Sequence, residues 1–167
     1  MEEVHEQIKT TAKAIYRQYV EKGLGQKAAF KGVGIAYIQF AIREPKLFQL
    51  LFMQRSAAPM NLNEAVRAVL FGKEQDIAII TRDYHATPRQ AERLFNQMWI
   101  YTYGLCVMSA AGLCAFSDGE IASLLGEMFA GMIHVIRSGG ESVKLQPVPE
   151  QSAASRELRS QSPDLRR

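Results

Sequence analysis

Apolar residues recur along this chain at three- and four-residue steps, and no stretch alternates apolar with polar positions between turn signals, so the expected class is all-α. From Glu2 to Glu21, Val4, Ile8, Ala12, Ile15 and Tyr19 keep a helical step with Glu and Lys among them, which predicts a one-faced helix broken at Gly23-Leu24-Gly25. A second helix, about Lys27 to Arg43, brings Phe30, Val33, Tyr37, Phe40 and Ala41 inward, and Gly34 on the same side permits close packing. Pro45 cannot continue that helix but suits the start of another, so Glu44-Pro45 reads as a sharp corner. The short helix that follows, Pro45 to Met53, is dense in large side chains: Leu47, Phe48, Leu50, Leu51, Phe52 and Met53. Ser56 to Asn61 reads as loop. Asn61 or Asn63 then caps a helix running to about Tyr84, with Leu62, Val66, Val69, Leu70, Ile77 and Ile80 inward and Gly72 marking a bend.

Thr87 to Gly139 predicts two long helices folded back on each other. Thr87 is a good N-cap, Pro88 suits the first helical position, and Glu92 adds a carboxylate near the start. Phe95, Met98, Trp99, Thr102, Tyr103, Cys106, Val107 and Ala110 share one face. The opposite face, with Tyr101, Gly104, Leu105, Met108 and Ala111, is apolar as well, and no charge falls between Arg93 and Asp118. That helix is expected to be covered on both sides.

Ser117-Asp118-Gly119-Glu120 is a capping box that opens the last helix, which Gly139-Gly140 ends. Ile121, Leu124, Leu125, Met128, Phe129, Met132, Ile133 and Ile136 form its large apolar stripe. Ala122, Gly126 and Ala130 form a second, small one that another backbone could approach, with His134 following on the same face. Two helices with two buried faces each exceed what one small monomer needs. The expected architecture is therefore six helices, with the last two pairing across a two-fold axis into a four-helix bundle.

Composition narrows the partners. The length suits one domain, and the apolar fraction of 47% with 22% charged residues is that of a soluble globular protein. A net charge of +3, with Lys and Arg scattered among Asp and Glu, is poor equipment for gripping a phosphate backbone. The N-terminus is charged from Glu2 onward, unlike a signal peptide, so Cys106 and Cys114 read as reduced thiols in a cytoplasmic protein. Leu94 to Ser117 lacks charge, but Asn96, Gln97, Thr102 and Ser109 interrupt it, and a buried helix is expected rather than a membrane span. Beyond Gly140 the chain turns to Ser, Gln, Pro and charge, too poor in apolar surface to offset ordering entropy, so residues 140–167 are expected to be a disordered tail.

Several residues point to binding rather than catalysis. Gly-x-Ser-x-Gly, a phosphate loop and His-Glu-x-x-His are missing, and neither cysteine has an evident base, so no enzyme activity and no cofactor are expected. No pair of His or Cys stands at metal-ligand spacing. His85 reads as a helix-end residue that complements the dipole, His134 as interface packing, and His5 as part of an exposed first turn. Tyr37, Phe40, Phe48, Phe52, Met53, Met60, Phe95, Met98, Trp99 and Tyr103 are more aromatic and sulfur side chains than simple filling requires, and such sets line pockets for apolar or cationic organic molecules. The alternative is that they are core. Tyr101, Gly104, Leu105, Met108, Ala122, Gly126, Ala130 and His134 are the expected dimer contacts.

The run from Ala36 through Arg43-Glu44-Pro45 to Met53 resembles the helix-corner-helix in the regulatory domains of TetR-family transcriptional regulators. Trp99-Ile100-Tyr101-Thr102-Tyr103-Gly104 is similar to the Trp-x-x-x-His-Gly signature of one branch, with Tyr103 in place of histidine, so a contact relying on imidazole does not carry over. The resemblance spans Glu2 to Gly139 and implies a ligand-binding and dimerising domain over residues 1–139, a homodimer, and a small hydrophobic effector. It also implies a helix-turn-helix module ahead of the helix that Glu2 to Glu21 resembles. The sequence starts inside that helix, so the expectation is a regulatory domain that meets DNA only through a missing head: a truncated chain, a start assigned too late, or a natural headless relative. A helical dimerisation protein with no ligand is the alternative.

Overall fold

The computed structural model describes residues 2–69 and 73–139, and within them every regular element is a helix. In chain order these are α1 (Glu2–Leu24), α2 (Ala29–Arg43), α3 (Pro45–Phe52), α4 (Leu62–Val69), α5 (Lys73–Tyr84), α6 (Pro88–Ala110) and α7 (Asp118–Arg137). The all-α class stands. Seven helices stand among the described residues where six were expected, the helix expected from Asn61 or Asn63 to Tyr84 being described in two stretches, α4 and α5; Leu70 and Gly72, with the bend placed there, lie outside the described residues. So does the tail expected over 140–167.

Helix ends follow local chemistry. Asn61 Oδ1 accepts from the Glu64 N–H at 3.0 Å while Glu64 Oε2 accepts from the Asn61 N–H at 3.1 Å, so Asn61, not Asn63, caps α4. Thr87 with Gln90, and Ser117 with Glu120, make the same reciprocal pairs at the starts of α6 and α7. At the corner Glu44 serves two helices: its N–H donates to the Phe40 carbonyl at 2.8 Å, and its own carbonyl accepts from the Phe48 N–H at 2.9 Å. Past α6, Gly112 takes a positive φ of 70°, and the Leu113 N–H turns back to the Met108 carbonyl at 2.9 Å.

α6 is the central element, packed on α2, α3, α4, α5 and α7. Its inward residues Ala91, Leu94, Phe95, Met98, Cys106 and Ala110 join Phe40, Phe48, Ile38, Val66, Ile80, Ile121 and Leu125 in one core. On its other side Asn96 anchors α4, donating from Nδ2 to Asn63 Oδ1 at 2.8 Å. α1 lies along α2, and the close approach expected of Gly34 occurs elsewhere: Gly23 and Gly32 meet backbone to backbone, and a Cβ on Gly23 would stand 2.5 Å from the Gly32 carbonyl oxygen. Gly34 meets only the Leu125 side chain, in ordinary contact. The expected stripe on α1 holds from Ala12 onward, with Tyr16 added to it, whereas Val4 is 64% exposed.

The second faces of α6 and α7 are covered unevenly. Leu105, expected at a partner, is buried in the protomer's own core, because the α6 surface that meets neighbouring helices is wider than one stripe. Tyr101, Gly104 and Met108 are half-buried, Gly104 with open space where a Cβ would stand. On α7, Ala122 and Gly126 are half-buried, and Ala130 and His134 are exposed. Ile121, Leu125 and Ile136 are its buried residues; Leu124, Met128, Phe129, Met132 and Ile133 are half-buried against the core.

Candidate functional site

Between α1, α2, α5, α6 and α7 the core leaves a cavity of about 220 Å³. Its lining is mostly aromatic. Tyr16 comes from α1, Phe30 and Tyr37 from α2, Tyr84 from α5, Phe95 and Trp99 from α6, and Phe129 from α7. Met98, Leu125, Val33 and two glycines, Gly34 and Gly126, complete the apolar wall, and the exposed residues Ala28 and Lys31 stand at its rim.

The rings form a connected wall. Tyr84 and Phe129 meet at 4.9 Å between centroids, Phe129 and Phe30 at 6.1 Å, and Phe30 and Phe95 at 6.5 Å. Trp99 is held in place by Tyr103, which stacks on it at 5.1 Å and 22° and donates its hydroxyl to the Phe52 carbonyl at 2.8 Å. The phenol standing where the resembled branch has histidine thus fastens α6 to the end of α3. It does not line the cavity.

Polar groups on this wall are few. Thr102 Oγ1 donates to the Met98 carbonyl at 2.7 Å, which uses its hydrogen within the helix. The Tyr37 hydroxyl and Trp99 Nε1 approach each other closely enough to influence the phenol's titration, but neither reaches hydrogen-bond geometry, and both are buried without a partner. An unpaired buried polar atom of this kind costs about 1–3 kcal/mol. Asp76 of α5 is the acidic member of the lining. Burial alone pushes its carboxyl up to about 7, and none of the ion pairs among the described residues involves it. One turn earlier Lys73, buried, is committed elsewhere: its Nζ lies 3.2 Å from Glu92 Oε1 and 5.8 Å from the centre of the Phe95 ring.

Burial also raises Tyr16, Tyr37 and Cys106 above their ordinary values, Asp76 adding to the effect at Tyr16. All three are therefore neutral at physiological pH. Cys114 is exposed and Cys106 buried, both as free thiols. His85 follows the end of α5 with a positive φ of 53°, a helix-end position.

Of the ten residues expected to bind a ligand, Tyr37, Phe95, Met98 and Trp99 line the cavity. Phe40, Phe48 and Phe52 do not: Phe40 and Phe52 pack edge-on with Tyr16 and Tyr37, and Phe48 tilts against Tyr37 and Phe52, in a solid cluster with centroids of 5.2 Å for Tyr37–Phe52 and 5.3 Å for Tyr16–Phe40. Met53 and Met60 lie on the surface, 38% and 39% exposed. The lining residues that the sequence did not single out as ligand contacts include Tyr16, Phe30, Asp76, Tyr84 and Phe129. For Asp76 a signal existed, since it stands three and four residues before the buried Ile79 and Ile80 and three after the buried Lys73, on the inward face of α5.

No family model, no curated protein and no solved structure matches the chain.

Proposed function

We propose that this chain is an effector-sensing and dimerising domain of a TetR-like transcriptional regulator, working in the cytoplasm. A small hydrophobic or cationic molecule would enter the cavity, favour one arrangement of the helices around it, and bias a DNA-binding module outside this sequence. The observation that carries the reading is the ring-lined cavity at the meeting of five helices, with one carboxylate on its wall. Helix order, the Glu44-Pro45 corner and the paired long helices at the end agree with the resemblance, which rests on those residues. α1 contributes Tyr16 to the cavity while its first turns stand exposed, so it is the element through which occupancy would be passed on.

A thermal-shift screen with hydrophobic amines, dyes, fatty acids and acyl thioesters tests the sensing claim. Saturable stabilisation of about 2.7 kcal/mol at a hundredfold excess over Kd is the expected size for a ligand that binds only the folded state. The dimer is tested separately by Gly104→Arg, which places a cation where a Cβ meets nothing. Sedimentation should shift from dimer to monomer. A Gly104→Arg chain that sediments like the parent counts against a bundle built on α6 and α7.

A second reading is favoured by α7. By length and composition it is the described helix long and apolar enough to cross a membrane, yet little of it is buried within the chain, and Val135 is exposed. A helical interaction protein that only pairs its apolar faces with a partner, with no ligand, would explain that surface. Retained dimerisation with no stabilisation by any member of the screen favours it.

A further inference from the structure

We propose that the cavity selects an organic cation, one aromatic ring joined to a compact ammonium group, with the Asp76 carboxylate as its counter-ion and the faces of Tyr16, Phe30, Tyr84 and Trp99 around it. This rests on the cavity being a small-molecule site and adds the charge of what it holds.

The charges around Asp76 leave that role open. On its own helix Lys73 is paired with Glu92 and lies over Phe95, and Tyr84 keeps its proton. From α1 and α2 the facing phenols of Tyr16 and Tyr37 are neutral, and the α2 ammonium, Lys31, stands at the exposed rim. From α6 the groups are Trp99, Thr102 and the neutral thiol of Cys106; α7 contributes Leu125, Gly126 and Phe129 to the lining, and its Arg137 reaches the Tyr84 carbonyl at 3.4 Å.

Three ligand types can then be compared. Above the titration of Asp76, a neutral apolar molecule would remove water from the carboxylate and leave it unpaired, which penalises binding. An anion would meet Asp76 with like charge. A cation neutralises the carboxylate and gains from the negative faces of the rings at the same time. Size points to a small one: a cavity of roughly 150 Å³ accepts benzene, and about 220 Å³ leaves room for little beyond one ring and a trimethylammonium group.

Trp99, the only tryptophan in the chain, lines the cavity and reports occupancy by its fluorescence. The probes are benzyltrimethylammonium, its neutral isostere neopentylbenzene, and the anion 3-phenylpropanoate. The cation should bind at least about tenfold more tightly than the isostere, with the anion weakest. Its affinity should rise with pH through the titration of Asp76 and then level. In Asp76→Asn the pH dependence should vanish and the preference should shrink to what the ring faces alone supply, and in Asp76→Glu the preference should persist; circular dichroism checks that each variant is folded. Equal binding of cation and isostere by the parent chain overturns the cation assignment, and an Asp76→Asn chain whose preference and pH dependence match the parent's overturns Asp76 as the counter-ion; either leaves the cavity reading standing. No saturable binding of any probe overturns both.

Discussion

Tyr16 and Tyr37 stand between two aromatic regions of opposite character. On one side Phe40 and Phe52 close against them edge to face and Phe48 tilts against Tyr37, and all three are buried. On the other side Phe30, Tyr84, Trp99 and Phe129 line an open volume that also receives Asp76, Phe129 touching both Tyr84 and Phe30 along its wall. Ring content alone therefore does not make a pocket. What distinguishes the regions is the length of neighbouring residues: Gly34 and Gly126 flank the open side, and a Cβ on Gly126 would meet nothing within 4 Å. Dispersion contacts on every side give the closed cluster its cohesion, whereas the rings on the open side lack such contacts where they border the void.

The comparison is broken most directly by truncating one ring on each side. Phe40→Ala should lower the unfolding free energy by about 3–5 kcal/mol in urea titrations. Phe30→Ala, half-buried and already beside a void, should lose less than about 2 kcal/mol. Equal losses would mean that both sides are packed alike.

A pH series sharpens the contrast through Asp76. Its carboxyl titrates near 7 when folded and near the ordinary aspartate value of about 4 when unfolded, so between those values the folded state holds the extra proton. Stability should therefore fall as pH rises from about 4 to about 7, by at most about 4 kcal/mol, and this contribution should be flat above that. Asp76→Asn should remove that slope and raise stability near pH 8, as read from urea midpoints. A slope unchanged in the variant would place its origin elsewhere.

The smallest effect on stability is expected from Gly126→Leu, which fills open space on the cavity wall and replaces a helix-interior glycine. The unfolding free energy should change by less than about 1.5 kcal/mol, while the Trp99 fluorescence response to benzyltrimethylammonium is lost. A variant that still binds the probe would place binding outside the cavity.

Much of the scaffold was legible because its causes are local. Thr87, Ser117 and the Glu44-Pro45 corner mark helix ends where the structure has them, since a cap or a missing N–H acts within one turn. Non-local outcomes were not. Gly34 and Gly32 are equivalent in sequence as permissive residues, and only the path of α1 decides which one it crosses. Leu105 reads as a residue on a second face until several helices are seen to surround α6. The cavity is harder still, because a void is made by what five separate segments fail to fill. Phe30 and Phe129 were recognisable as inward-facing, but not as neighbours on its wall.

The backbone contact of Gly23 with Gly32 has a mechanical consequence for α1. The two backbones touch there, with the short Ala36 side chain and the stem of Gln26 beside them, so that crossing can act as a fulcrum near one end of a stiff rod. Tyr16 lies about 10 Å from the pivot along the helix and Glu2 about 31 Å, at 1.5 Å per residue. A tilt of α1 about that point would thus move Glu2 about three times as far as Tyr16.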